Sequence, residues 1–100
     1  MRPIWLARLD KTRPVLLLTR EEVRQVRNLV TVAPITSTVR GLRSEVAVGV
    51  RNGLDHECAV NVDLVATIPR DLLIRPLGAL LQDQERDLTR AFREAFDLED

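Results

Sequence analysis

The apolar residues in the first two thirds of the chain follow the patterns of β-strands. The continuous apolar run 15–18 is typical of a strand buried on both faces, and it should pair with the short apolar strand before it. Pro34 is expected to end the third strand or to place it at an edge. Asn52-Gly53 is typical of a tight turn. Strands are predicted over residues 3–9, 15–19, 29–33, 45–48, 58–65 and 73–77.

Two segments have helical spacing instead. Val23 and Val26 are three apart in the charged stretch 20–28, which predicts a short helix or an irregular turn. Asp83 is a candidate N-cap for a second, amphipathic helix near the C-terminus. Its apolar face comprises Leu88, Ala91, Phe92, Ala95 and Phe96. Short strands followed by one such helix predict a mainly β fold with α-structure: a small, strongly curved sheet or barrel carrying the helix, in a single domain of residues 1–100.

The composition agrees with one folded domain. Of 100 residues, 45% are apolar and 30% are charged, which is typical of a globular protein. One cysteine excludes an intrachain disulfide framework, and one histidine with one cysteine does not supply a structural zinc site. We expect no cofactor. The chain has neither an apolar run of the roughly 18 residues that a membrane span needs nor the apolar region of a signal peptide. A cytoplasmic protein is therefore expected.

Charge is balanced overall but not along the chain. Fifteen basic and 15 acidic side chains give a net charge of zero, which argues against a globally basic nucleic-acid binder. Up to Gly53, however, ten basic residues and four acids give +6, and the remainder carries five and eleven, giving −6. Fourteen basic residues are arginines, which suit bidentate phosphate contacts, although the base composition of the coding DNA explains this bias equally well. We expect a positive face to carry the functional site and the acids to lie mainly away from it.

Polar residues at the ends of apolar strands are the candidates for chemistry. Arg13 stands where the chain enters its most apolar strand, so it is either a group that stabilises a phosphate at the rim of the barrel or an ordinary solvated arginine. Thr36 and Ser37 belong to a hydroxyl cluster after a buried strand, where hydroxyls bind phosphate oxygens or close turns. Arg40 adds a cation to the same segment. The residues by themselves leave both interpretations open at each position.

The other chemically versatile side chains favour structural roles. His56, the only imidazole, is flanked by Asp55 and Glu57 in a loop, and it is either a general acid or base or an exposed loop residue. Cys58 has no second thiol and no activating partner in the sequence, which favours a small strand residue. Trp5 can stack on a base, but in a chain with so few aromatic residues it more often fills a core or an interface.

Several segments together resemble the MazF/PemK family of toxin endoribonucleases. Their order and spacing match the family over nearly the whole chain: Pro3-Ile4-Trp5-Leu6, Asp10, Arg13-Pro14-Val15, the run 30–36, Gly53-Leu54, and the stretch 60–68 with Asp63 and Thr67-Ile68. The resemblance implies an SH3-like β-barrel with a C-terminal helix. It also implies a homodimer that cleaves single-stranded RNA without a metal, leaving a 2′,3′-cyclic phosphate and a 5′-hydroxyl. The expected partner is a cognate antitoxin with a disordered acidic segment.

The resemblance also carries site residues. The family's catalytic pair falls on Arg13, from its Arg-Pro-Val strand start, and on Thr36, from its Ala-Pro-Ile-Thr segment. This assigns phosphate stabilisation and proton donation to Arg13, and to Thr36 a hydrogen bond that positions the phosphate. Substrate-binding residues are expected at Ser37, Arg40, Cys58, Asn61, Asp63 and Thr67. The group that deprotonates the 2′-hydroxyl stays unassigned, because a guanidinium is a poor general base.

The chain departs from the family pattern at three places, and two of them, the short first loop and Ala66, favour a rival interpretation. The loop over residues 9–13 is short where many relatives carry a longer, Gly-containing loop. Ala66 stands where the family often has Arg, and Cys58-Ala59 stands where it often has Ser-Val. The rival is a non-enzymatic toxin or binding module on the same barrel, similar to the gyrase-poisoning toxins, or an RNA-binding domain without toxicity.

Overall fold

The computed structural model describes residues 1–99, which form one curled antiparallel sheet covered by a C-terminal helix. The strands are β1 (Arg2–Arg8), β2 (Thr12–Leu17), β3 (Leu29–Thr36), β4 (Glu45–Val48), β5 (Cys58–Asn61), β6 (Ala66–Pro69) and β7 (Leu73–Leu80). The helices are α1 (Glu21–Arg24) and α2 (Glu85–Phe96). The sheet order is β4-β5-β3-β2-β1-β7, with β6 also paired to β3. The predicted mainly β fold, with a strongly curved sheet and a C-terminal helix, is confirmed.

The sheet is apolar on both faces. The main core lies between one face and α2, and it includes Ile4, Leu16, Val46, Val60, Leu80, Leu88 and Ala91. A second cluster on the other face contains Ala7, Val15, Leu17, Val30, Val32 and Ile68, with half-buried Trp5 packed against it. Because alternate residues of β2 enter different clusters, its apolar run is continuous, as predicted. β2 pairs with β1 from Ile4↔Leu16 to Arg8↔Thr12, which confirms the expected hairpin.

The predicted strand over 58–65 is wrong in extent, because the chain turns in the middle of it. β5 ends at Asn61, whose side-chain oxygen accepts a hydrogen bond from the Asp63 amide at 3.0 Å and caps the 3-10 turn Val62–Leu64. β6 follows this turn and pairs with Leu29–Val32 at the start of β3, whereas β5 pairs with Ile35 and Thr36 at the end of β3. Polar–apolar alternation continues through the turn, so it did not reveal the break.

Pro34 does not end β3, contrary to one of the two expectations for it, and the strand continues to Thr36. The Leu18 amide donates to the Thr31 carbonyl at 2.9 Å, so the peptide groups of Thr31 point toward β2 and, by alternation, those of Pro34 point to the other side. On that side Pro34 faces the gap between β6 and β5. Since neither strand pairs with β3 at this position, the missing amide hydrogen of the proline costs no hydrogen bond in the sheet.

The C-terminal helix begins later than predicted. A 3-10 turn, Gln82–Gln84, precedes α2, so Asp83 does not cap it and instead accepts from Arg51 at 2.8 and 2.9 Å. Leu88 and Ala91 are buried as expected, but Phe96 is 52% exposed because the helix runs past the edge of the sheet. α1 confirms the short helix predicted within 20–28. Neither helix in residues 1–99 has the length and apolar character required to cross a bilayer.

A close backbone contact brings the two edges of the curled sheet together. The turn after β4 reaches β7, where the Asn52 side chain donates to the Ala79 carbonyl at 2.9 Å. A Cβ on Gly53 would lie 2.1 Å from the Leu77 carbonyl oxygen, and a Cβ on Gly78 would lie 2.1 Å from the Asn52 oxygen. Only glycine permits this approach at either position.

Candidate active site

Arg13 lies at the start of β2 in a partly dehydrated position. Its side chain is 21% exposed, and one terminal nitrogen donates to the Asp10 carboxylate at 3.2 Å. Its Nε is buried and has no hydrogen-bond partner within residues 1–99. Because the solvated-arginine interpretation predicts a fully hydrated head group, this geometry favours a guanidinium held ready for an incoming acceptor.

The sheet register brings Thr36 next to Arg13. β2 and β3 pair antiparallel through Val15↔Pro34, Leu16↔Ala33 and Leu17↔Val32. The recorded pairs end at Val15↔Pro34, two residues before Arg13 along β2 and two residues before the end of β3 at Thr36. This register therefore brings Arg13 and Thr36, which are far apart in the sequence, to the same end of the strand pair.

Thr36 forms part of a turn and keeps a free donor. Its Oγ1 accepts from the Thr38 amide at 3.1 Å, which is the turn-closing role expected of such hydroxyls. The hydroxyl hydrogen is not used by that bond and can still reach a phosphate oxygen. On its other side Thr36 pairs with Ala59 of β5. Turn closure and phosphate binding are therefore compatible at this residue.

A cleft opens beside Thr36, under the loop over residues 37–44. It has a volume of about 310 Å³ and is lined by Val39, Gly41, Leu42, Arg43, Glu45, Ala47, Ala59, Asp87 and Arg90. Ala47 and Ala59 pair across β4 and β5, and their small side chains leave room above the sheet. The exposed Ser37 and Arg40 belong to the same loop, so these two predicted residues lie with Thr36.

Asn61 and Asp63 lie at the base of the same loop. Asn61 pairs with Glu45 across the sheet and caps the following turn. The Asp63 carboxylate accepts from the Ser44 hydroxyl at 2.5 Å, which fastens the end of the loop to β5. Both residues are therefore beside the candidate site, although their polar atoms are engaged in holding the backbone.

Two of the predicted binding residues lie elsewhere. Thr67 pairs with Thr31, and their hydroxyls are 2.9 Å apart. Thr31 is five residues from Thr36 on β3, or roughly 17 Å along the strand. Cys58 is 5% exposed and belongs to the main core, where burial raises the pKa of its thiol, with Asp55 and Glu57 adding to the shift.

Glu45 is a site residue that the sequence analysis missed. Its carboxylate is buried at the start of β4 and accepts backbone N–H groups from the loop that carries Arg40. The signal was present in the sequence, because Glu45 is the only acid between Glu22 and Asp55. An isolated acid at a strand start in an arginine-rich stretch indicates a specific partner.

Two other side chains have the surroundings that the sequence suggested. His56 is exposed, and its Nδ1 is hydrogen-bonded to Asp55. Ala66 pairs with Val32 and is exposed, so the position where the family often has Arg presents a methyl group. Within residues 1–99, no three His, Cys, Asp or Glu side chains cluster closely enough to hold a metal ion.

The two oppositely charged halves of the sequence are intermixed in space, contrary to the expected separation of faces. Three arginines of the first half pair with acids of the second half: Arg2 with Glu85 at 3.1 Å, Arg43 with Glu94 at 3.4 Å, and Arg51 with Asp83 at 2.8 Å. Asp10 and Asp63 lie at the site itself. The packing of α2 and of the turn before it on the sheet brings these acids to arginines of the first half of the chain.

A half-buried guanidinium, a hydroxyl at the same end of the strand pair and a nearby cleft form a candidate site for a phosphodiester, on a small curled sheet closed by a helix. The comparisons with known proteins give the same class. Residues 3–96 match the family described as PemK-like, MazF-like toxin of type II toxin–antitoxin system. The chain therefore belongs to this toxin family, and the predicted family resemblance is confirmed.

Individual relatives match along the full length. The chain is 54% identical over 99 residues to Endoribonuclease MazF3 of Mycobacterium tuberculosis, covering 99% of this chain and 96% of the relative. The solved structure of Mycobacterium tuberculosis toxin MazF-mt6 superimposes with a TM-score of 0.95 at 54% identity, covering 98% and 99% of the two chains. An endoribonuclease in complex with its cognate antitoxin, from a mycobacterial species, shares the fold with a TM-score of 0.85 at 22% identity, covering 97% and 93%.

Proposed function

We propose that this protein is a sequence-selective endoribonuclease that cleaves single-stranded RNA without a metal and thereby inhibits translation and growth in the cytoplasm. The observation that carries the proposal is the match of residues 3–96 to a toxin family, and the β2–β3 register, which brings Arg13 and Thr36 to the same end of the strand pair, supports the proposed site. Full-length relatives at 54% identity bear the name endoribonuclease. Single-stranded RNA is the expected substrate because in-line attack requires splayed nucleotides.

The reaction is an intramolecular transesterification. The RNA 2′-oxygen forms a bond to the adjacent phosphorus, the bond from phosphorus to the 5′-oxygen breaks, and the products are a 2′,3′-cyclic phosphate and a 5′-hydroxyl. Negative charge grows on the non-bridging oxygens, which the guanidinium of Arg13 stabilises, and Arg13 also supplies the proton for the leaving 5′-oxygen. The Thr36 hydroxyl donates a hydrogen bond that orients the phosphate. The proton of the 2′-hydroxyl is released to solvent, from which Arg13 regains the proton that it gives to the 5′-oxygen.

The neighbouring groups would bind the substrate on either side of the scissile phosphate. Arg40 and Ser37 are exposed on the loop, next to the cleft of about 310 Å³ beside Thr36. A flanking nucleobase can enter this cleft, while the guanidinium of Arg40 contacts a phosphate. Asn61 and Asp63 contribute by holding the loop, and we propose no RNA contact for the buried Cys58 or the distant Thr67.

We further propose that the toxin is a homodimer neutralised by a cognate antitoxin through an acidic, initially disordered segment. The structural neighbour in complex with its antitoxin supports an antitoxin partner. Exposed Arg8 and Lys11, together with Arg40, offer charge complementarity. Association should weaken strongly as salt is raised, and a salt-insensitive complex would contradict electrostatic capture.

The rival is a non-enzymatic module on the same barrel. It is favoured by Ala66, which provides no cation on β6, and by the connection of only three residues, 9–11, between β1 and β2. The presence of both Arg13 and Thr36 in register favours the enzyme.

Mapping RNA product ends separates the two proposals. Purified protein is incubated with a long unstructured RNA, with and without EDTA, and the termini are sequenced and tested for a cyclic phosphate. We expect cleavage at a defined sequence that EDTA leaves unchanged. Absence of cleavage at any site favours the binding module, and a requirement for Mg²⁺ overturns the mechanism.

A further inference from the structure

The loop that carries Arg40 is built around the carboxylate of Glu45. This side chain is 5% exposed and accepts hydrogen bonds from three consecutive amides, those of Arg40 at 3.2 Å, Gly41 at 2.9 Å and Leu42 at 3.2 Å. Gly41 has a φ of +72°, a left-handed conformation that turns successive amides toward one point. Converging amides of this kind form an anion-binding concavity, which here holds the protein's own carboxylate.

The backbone of Glu45 is held by contacts with β5, the loop and α2. It opens β4 opposite Asn61, and its amide donates to the Leu42 carbonyl at 3.0 Å. A terminal nitrogen of Arg90, on α2, donates to the Glu45 carbonyl at 2.8 Å. The carboxylate thus extends from a strand whose backbone is held by hydrogen bonds, and the loop folds around this carboxylate.

We propose that Glu45 is a positioning residue that sets the conformation of the 37–44 loop and so determines how Arg40 meets the RNA. This inference rests on the proposed function. Because Glu45 occupies the amides of residues 40–42, this part of the loop meets an RNA phosphate through a side chain, that of Arg40. Arg13 and Thr36 lie on strands outside the loop, so the loss of Glu45 should weaken substrate binding and leave the chemical step intact.

The test is Glu45→Gln, which keeps the size of the side chain, removes the negative charge on which the three amides converge, and replaces one acceptor oxygen, which accepts from the Arg40 amide at 3.4 Å, by an N–H donor. We expect KM for RNA to rise about tenfold with kcat within about twofold of wild type. Hydrogen exchange of the amides of residues 40–42 should accelerate at least about tenfold. Glu22→Gln is the matched control, because Glu22 is an exposed carboxylate on α1 and its loss changes net charge equally. It should alter neither KM nor exchange.

A second variant keeps the test valid if Glu45→Gln does not fold. Gly41→Val strains the left-handed position, and since no atom lies within 4 Å of the added Cβ, it disturbs the loop without a clash. It should raise KM in the same way. An unchanged KM in the folded variants, or a fall in kcat at constant KM, overturns the role of Glu45 when wild type cleaves RNA. Wild-type protein that cleaves no RNA overturns the proposed function instead.

Discussion

Replacing Arg13 by alanine should abolish cleavage at little cost in stability. Loss of a positioned donor to a developing oxyanion lowers kcat by about 10²–10³-fold. The substitution removes a buried Nε without a partner in the described chain, which relieves about 1–3 kcal/mol. It also loses an ion pair worth at most about 1 kcal/mol, because Asp10 is 75% exposed, and about 2 kcal/mol of buried methylene surface. The gain and the losses nearly cancel.

The measurements are initial cleavage rates and thermal unfolding of Arg13→Ala. We expect at least about a 100-fold lower rate and a Tm within about 5 °C of wild type, since 1 kcal/mol shifts Tm by about 4–8 °C in a domain of this size. Arg27→Ala is the matched control, because Arg27 is exposed and precedes the opposite end of β3. A Tm lower by more than about 10 °C would show that Arg13 mainly holds the fold. Wild-type cleavage by the variant would refute the site.

Three further substitutions test the closure of the sheet and the core. Gly53→Ala should lower Tm by at least about 10 °C, because its Cβ would lie 2.1 Å from the Leu77 carbonyl oxygen at a φ of +88°; a calorimetric shift of a few degrees would contradict this. Gln84→Leu should cost about 1–3 kcal/mol in urea unfolding, because it removes the buried acceptor of the Asn52 amide at 2.6 Å; an unchanged midpoint would speak against that contact. Burial raises the pKa of the Cys58 thiol, so the unfolded state loses this proton first and the free energy of unfolding should fall as pH rises above about 9. Cys58→Ala should lack that decrease, and an equal decrease in both proteins would assign it to other groups.

Local patterns predicted much of the fold because they report burial. The run 15–18 is apolar since β2 is covered on both faces, and the helical spacing of Leu88 and Ala91 places them on the face of α2 that packs on the sheet. The same patterns failed where one specific hydrogen bond decided the structure. The Asn61 cap turns the chain inside an alternating stretch, and Asp83 is drawn to Arg51 instead of capping α2.

The candidate site was predicted residue by residue but not as an arrangement. Arg13 and Thr36 came from motif resemblance, and each had an equally good structural interpretation in the sequence. Their adjacency depends on the β2–β3 register, which the packing of Val15 and Leu17 against the second cluster selects. Glu45 was missed because hydrogen bonds from three loop amides to one carboxylate produce no periodic pattern of polar and apolar residues in the sequence.

Local sequence patterns were enough to place most of the strands and the amphipathic helix, and motif resemblance indicated the family and the two residues proposed for catalysis. The tertiary structure decided which of those residues are neighbours and which charged side chains form ion pairs instead of a surface of one sign. Arg43 and Arg51 of the basic half are paired with acids of the other half, and Cys58 lies inside the core. The physical reason is the sequence distance over which each interaction acts. Backbone preference and the periodicity of buried residues act over a few residues. Strand register, ion pairing and the contact between Gly53 and Gly78 join distant segments, which only the closed sheet brings together.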